Sequence, residues 1–267
     1  KKGQDIIDAI HKASANGDKK IIIPPGDYLF SGKNGGRRRG DNTATFFNLS
    51  DLEIIAYGVT FWLEKSLTRG IHFGNCRNVT IRGLTIDCVR RMGFEAKITS
   101  IDREKKIINT VPMNGAECYL SRNLKKFTNR VGSFVYYDEN GDFVRHGHTM
   151  GKYKFSDDKK TVTISNFRRG GIPDALKVGG YVVAKERGMG SLMIRDCENM
   201  TYEDINIWYG SGSGVKSGMS KVGHGGNIFR RVRVTRKPHT NRLHSHGADV
   251  FHLGSMGKGP LLDRCEA

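Results

Sequence analysis

The residues best suited to chemistry crowd into the C-terminal part of this chain. No acidic residue occurs between Asp204 and Asp249, whereas Lys216, Lys221, Arg230, Arg231, Arg233, Arg236, Lys237 and Arg242 all fall there. Five of the nine histidines, His224, His239, His244, His246 and His252, lie in the same C-terminal part of the chain, around Asp249. Imidazole titrates near neutrality, so such groups bond hydroxyls or move protons. Asp249 is the first carboxylate after the basic run, in a Gly-flanked turn region, and is the candidate acid or base. Arg242 and the neighbouring histidines are expected to set its protonation. His244 and His246 alternate along one extended segment and so share a face; no third ligand stands at a recognised metal spacing, and hydroxyl contacts are the expected role. Gly210-Ser-Gly-Ser-Gly214, followed by Lys216, lacks the order of a phosphate-binding loop and precedes no helical pattern, so it reads as a turn.

A chain of 267 residues with 44 Lys and Arg against 27 Asp and Glu, net charge +17, favours a polyanionic partner. Nucleic acid, acidic polysaccharide and anionic membrane surface fit that charge, but aromatics are not interleaved along the basic run and no nucleic-acid reader motif is present. No apolar run approaches the ~18 residues of a membrane span. Arg37-Arg38-Arg39 in a Gly-rich loop reads as a solvated surface. Five cysteines with neither a zinc spacing nor a C-x-x-C pair argue against a metal site and against a full disulfide framework. No cofactor is implied.

The elements that position these residues are visible as a repeat. Ile71 to Ile86 matches Leu192 to Ile207 position for position at an offset of 121, with apolar, Cys76/Cys197 and Asn78/Asn199 positions coincident. Weaker copies occupy Phe46 to Phe61 (Leu52, Ile54, Val59) and Asn227 to Val234 (Ile228, Phe229, Val232), and another opens at Pro260-Leu261-Leu262 with Cys265. Units of this size cannot bury a core alone; stacked, with parallel strands pairing between successive turns of chain, they form a β-solenoid. Cys76, Cys197 and Cys265 then fill one corner. Asn78 and Asn199, with Asp51, are expected to bond neighbouring turn backbone.

The long offset leaves room for an insertion. Residues 92–188 read as antiparallel hairpins: 96–101 against 106–111, Phe134–Tyr137 against Phe143-Val144 across 139–142, and Lys152–Phe155 against Thr161–Ile164. Gln4 to Ala15, with Ile6, Ile7, Ile10 and Ala13 at helical period and Gly17 as its stop, is the expected cap over the first coil. No second cap is visible, and a truncated sequence with further coils missing is expected. The expected fold is all-β: a right-handed parallel β-helix with an N-terminal capping helix and an inserted antiparallel β module. The expected division is 1–91, 92–188 and 189–267, the last carrying the site.

The opening helix, first strand and Pro24-Pro25-Gly26-Asp27-Tyr28 resemble the entry of right-handed parallel β-helix carbohydrate enzymes of the pectate-lyase-like superfamily. Arg242-Leu243-His244-Ser245-His246-Gly247-Ala248-Asp249-Val250-Phe251-His252-Leu253 resembles the stretch that carries one catalytic carboxylate in the α-1,3-galactosidase type of glycoside hydrolase, and Leu84-Thr85-Ile86-Asp87 resembles its junction with the insert. The resemblance implies Asp249 as one acid/base carboxylate, His252 as a residue lining the site and Asp87 as a substrate contact. Where the relatives continue with acidic residues and proline, this chain has Arg90 and Arg91, which fits a sulfated or uronic-acid glycan, since guanidinium pairs bidentately with such groups. Trp208 and Tyr209 serve equally as a sugar-stacking face or as corner packing.

These features imply a secreted or periplasmic glycoside hydrolase acting, with inversion, on an α-galactosidic or related bond of an acidic or sulfated polysaccharide. Asp249 is catalytic; His252, His246, His244, Arg242, Asp87, Lys216, Trp208 and Arg91 bind substrate. The rivals are a polysaccharide lyase, with Lys216, His244 or Arg242 carrying the work, and a non-catalytic glycan-binding β-helix of the tailspike kind. Neither nucleic acid nor a membrane span is expected as a partner.

Overall fold

The computed structural model describes residues 1–31, 42–64, 69–89, 94–113, 130–158, 160–169, 171–185, 190–210, 212–218, 225–254 and 257–267. They separate into two compact units, one of Lys1–Arg90, Arg187–Thr240 and His244–Ala267, the other of Arg91–Glu186 with Asn241–Leu243.

The first unit opens with α1 (Gly3–Ala15), where Ile6, Ile10 and Ala13 recur at helical spacing and are buried. Asp5 in the first turn and Lys12 in the last complement the helix dipole. The helix ends at Asn16, and Gly17 follows with φ of +79°, the left-handed conformation that glycine adopts without penalty. Strands β1 (Lys20–Ile22), β2 (Gly26–Phe30), β3 (Asn42–Phe47), β4 (Ser50–Leu63), β5 (Arg69–Gly74) and β6 (Arg77–Cys88) come next. The second unit holds β7 (Phe94–Asp102), β8 (Ile107–Pro112), β9 (Arg130–Tyr137), β10 (Phe143–Phe155), β11 (Val162–Arg169) and β12 (Tyr181–Lys185). The first unit resumes with β13 (Leu192–Arg195), β14 (Thr201–Glu203), β15 (Asn206–Ile207), β16 (Val215–Gly218), β17 (Ile228–Arg230), β18 (Arg233–Val234), β19 (Phe251–Leu253) and β20 (Leu261–Asp263).

Two parallel sheets build the first unit. Sheet A runs β1-β4-β6-β14-β17-β20, with β2 beside β4 and β15 between β6 and β18; sheet B runs β3-β5-β13-β16-β19. From β3 onward, outside the second unit, the chain passes back and forth between the two sheets, with β14–β15 and β17–β18 each lying together in sheet A. The offset of 121 is the pairing register itself: Ile71 faces Leu192, Ile81 faces Tyr202 and Ile86 faces Ile207. Like side chains therefore stack into columns. Ile54, Ile81, Tyr202, Phe229 and Leu262 form one, and Ala44, Ile71, Leu192, Val215 and Phe251 another. Tyr202 and Phe229 stack at 5.3 Å, and each fully buried side chain of this size contributes ~1.5–3 kcal/mol.

The bends between strands are set by residues that tolerate positive φ. Gly58, Gly83, Asp204, Arg231 and Arg264 occupy successive equivalents of one bend, with φ of 72°, 79°, 55°, 51° and 52°. A Cβ at Gly83 would lie 2.4 Å from the Tyr57 ring, which fixes glycine there. Asp51, Asn78, Asn199 and Gly226 repeat a second bend, at 51°, 52°, 52° and 69°. Contrary to expectation, the Asn78 and Asn199 amides bond side chains rather than backbone: Asn199 donates to Asn78 Oδ1 at 3.2 Å and Asn78 to Asp51 Oδ1 at 2.8 Å. Parallel in-register stacking brings the side chains at equivalent bend positions within hydrogen-bond reach of one another. Cys76 and Cys197 are buried beside one another, the Cys76 amide donating to Cys197 Sγ at 3.5 Å. Each thiol also donates to the carbonyl two residues before it, Gly74 and Arg195, at 3.3 Å.

The second unit is a closed barrel, β10-β11-β8-β7-β12-β9, every pairing antiparallel. The three hairpins expected from the sequence pair as read, and β12, absent from that reading, joins β7 to β9 and closes the sheet. Phe94, Ile98, Phe134, Tyr136, Tyr153 and Ile164 fill its interior.

Candidate functional site

Asp249 lies two residues before β19, and its backbone is tied to the residue before β16. Gly214 N–H donates to the Asp249 carbonyl at 3.0 Å, and Val215 N–H to Val250 at 2.9 Å. Phe251 packs against the core, so the strand's alternation turns His252 outward. His252 Nδ1 and Asp249 Oδ2 are 2.8 Å apart, with both side chains 52% exposed. With its proton on Nδ1 bonded to the carboxylate, the neutral imidazole presents Nε2 as an acceptor. Lys216 on β16 is the in-register neighbour of His252, and the outward column continues through Met193, His72 and Thr45. A carboxylate, an imidazole and an ammonium thus share one exposed sheet face, a set able to donate or accept a proton beside an anionic ligand.

His72, in the same column, is only 4% exposed. Burial, reinforced by the Arg69 and Arg195 charges, lowers its pKa to about 4.

His244 and His246 are not on a strand; the segment is a series of turns with one bridge, His246 to Gly210. Their rings nevertheless stack at 5.6 Å. Gly210 N–H donates to Ser245 O at 2.8 Å, Gly247 N–H donates to Gly210 O at 2.9 Å, and Ser245 Oγ lies 2.8 Å from His246 Nδ1. Gly210 and Gly212 are thus tied by backbone hydrogen bonds to residues 245–248. Arg242 belongs with the barrel rather than with the strand of Asp249. Its neighbour Leu243 is buried beside Val135, Tyr137 and Val183, and Leu243 N–H donates to Glu95 Oε2 at 3.3 Å.

Asp87 and Trp208 form a second cluster, joined by two residues that sequence reading passed over. Trp62 pairs in register with Asp87, and Trp208 N–H donates to Ile86 O at 2.9 Å, so the three side chains follow one column of sheet A. Lys237 completes it. Its Nζ lies 3.3 Å from Asp87 Oδ2, 4.5 Å from the Trp62 ring centre and 5.0 Å from that of Trp208. Asp87 is 0% exposed and also accepts the Cys88 N–H at 2.8 Å, so the expected substrate contact is instead a buried ion pair. The carboxylate sits too deep, with its charge matched internally. Trp208 has Lys237 over its ring, and Tyr209 is core. The equivalence of Trp62 with Asp87 was available from the repeat; nothing in the sequence signals Lys237.

Arg91, with Arg90, and likewise His224, Lys221 and Arg37–Arg39, lie outside the described residues. Among the described residues no group of three or more His, Cys, Asp or Glu is arranged to hold a metal ion, and no helix is long and apolar enough to cross a membrane. No protein-family model matches the chain, and no curated protein sequence does.

Proposed function

We propose that this chain is a glycoside hydrolase acting on an anionic polysaccharide, built on a right-handed parallel β-helix. Right-handedness follows from the strong bias of crossovers between parallel strands in one sheet; left-handed windings in a diffraction structure would contradict it. The functional reading rests above all on the Asp249–His252 pair, held half-exposed beside Lys216. Glycosidic cleavage requires one carboxyl group to protonate the leaving oxygen and another to activate water at the anomeric carbon, or to attack it. Asp249 takes one of these roles. His252 orients its carboxylate, and Lys216 supplies a positive charge for a sulfate or carboxylate of the substrate.

The adjacency of Lys216 and His252 also favours a second reading, a lyase in which the ammonium neutralises a uronate and the imidazole removes its C5 proton. One assay separates the two. The chain is incubated with sulfated galactan and with polyuronate, and reducing ends and ultraviolet absorbance are followed together. Reducing ends from the galactan without new absorbance are expected. Absorbance from the polyuronate would replace hydrolysis by elimination, and no product from any anionic glycan would sink both readings.

A further inference from the structure

The outward face of sheet B carries a second feature beside Asp249. Arg195 stands between Gly74 and Gly218 on the flanking strands, and its side chain is 60% exposed. Gly254 adjoins Gly218, its N–H donating to Ser217 O at 3.1 Å. A Cβ added at Gly218 or Gly254 would meet nothing within 4 Å among the described residues, and neither glycine has positive φ. Among the described residues, neither packing nor backbone conformation therefore requires glycine at these positions. Glycine at a strand end with no side chain above it leaves the backbone open to close approach by another molecule. The same floor is edged by Arg195, Lys216 and His252. Strands ~4.8 Å apart space these groups across the sheet like teeth of a comb.

We infer that this strip is a track for an anionic glycan. The polymer crosses the strands over Gly218 and Gly254, and Arg195 and Lys216 take successive sulfate or carboxylate groups. The inference rests on the reading that the Asp249 site acts on a glycan, and it adds the groups that select charge. Asp196, 3.5 Å from Arg195 Nε, holds the base of the guanidinium, and among the described residues the fork's other donors stay open for a bidentate contact. Chain direction follows from the geometry: only a polymer lying across the strands meets Arg195, Lys216 and the carboxylate pair together.

Binding of a sulfated galactan, its desulfated counterpart and duplex DNA is measured by calorimetry on the intact chain, for wild type and for Arg195→Gln, Lys216→Gln and Gly218→Val. We expect the sulfated polymer to bind at least tenfold more tightly than the other two. Arg195→Gln and Lys216→Gln should each weaken it about tenfold, at unchanged thermal midpoint. Gly218→Val should weaken it comparably while leaving the fold as stable or more so, since valine suits a strand better than glycine. Equal binding of sulfated and desulfated polymer, equal binding of DNA, or indifference to all three substitutions would overturn the track. Sulfate-selective binding that follows these substitutions, with no cleavage of the polymer, would support the track and sink the hydrolase reading instead.

Discussion

The Lys237 ammonium reaches 150 positions back along the chain to Asp87 Oδ2, at 3.3 Å, and lies over the indoles of Trp62 and Trp208. A carboxylate taken wholly out of water needs a matched charge, and here a cation is held on two aromatic faces beside it. Removing Lys237 leaves the Asp87 carboxylate buried without its matching charge. We expect Lys237→Met to lower unfolding free energy by ~2–4 kcal/mol in denaturant titrations, and the double variant with Asp87→Asn to lose less than the two single losses combined. Additive losses would show that the two groups are not coupled.

Tyr202 sets up the opposite case. Its hydroxyl is buried and has no hydrogen-bond partner among the described residues, while its ring stacks on Phe229. Burial also pushes its pKa well up. Tyr202→Phe keeps the ring and deletes an unsatisfied polar atom, so stability should hold or rise by up to ~1–2 kcal/mol. A clear drop in thermal midpoint would contradict this.

How much of this was legible follows from how β-stacking writes itself into sequence. Val79 and Met200 occupy one layer because the offset of 121 is a hydrogen-bonding register, and registers repeat side-chain type. The hairpins were equally plain, since each is local. Barrel closure was not, because Tyr181–Lys185 must find partners far off in sequence on either side. At the site, Lys216 beside His252 and Asp249 beside His252 follow from register and from a three-residue spacing. Lys237 over two indoles does not, because a long side chain from an irregular segment has no periodic signature.

The bend residues give a conformational test. Asn78 has φ of 52°, donates to Asp51 and accepts from Asn199. Asn78→Ala should cost ~1–3 kcal/mol, from left-handed strain plus the lost bonds, and Asn78→Gly distinctly less because only the bonds are lost. Equal costs would mean that the bend does not require this backbone conformation.

The buried imidazole of His72 makes stability depend on pH. Its pKa in the fold is about 4, below the ordinary 6.5, so the unfolded chain binds the proton first as pH falls. The contribution is complete above pH 6.5 and is lost progressively down to about 4, a total on the order of 3 kcal/mol. Below that, Glu53, Asp204 and Asp263 add a further loss, their pKa values being lowered chiefly by hydrogen bonds from Arg82, Arg231 and Arg264 respectively. Denaturation midpoints between pH 7 and 4 should fall in wild type and flatten in His72→Gln; identical slopes would remove His72 as the cause.

The most direct measurement is the turnover of Asp249→Asn on a sulfated galactan that the wild-type chain cleaves, paired with binding of the same polymer. Asparagine keeps the size and a hydrogen-bonding oxygen for His252 but can neither donate nor accept the catalytic proton. We expect kcat to fall by ~10³-fold or more with binding nearly unchanged. Turnover within a fewfold of wild type would show that Asp249 is not the acid or base of the reaction.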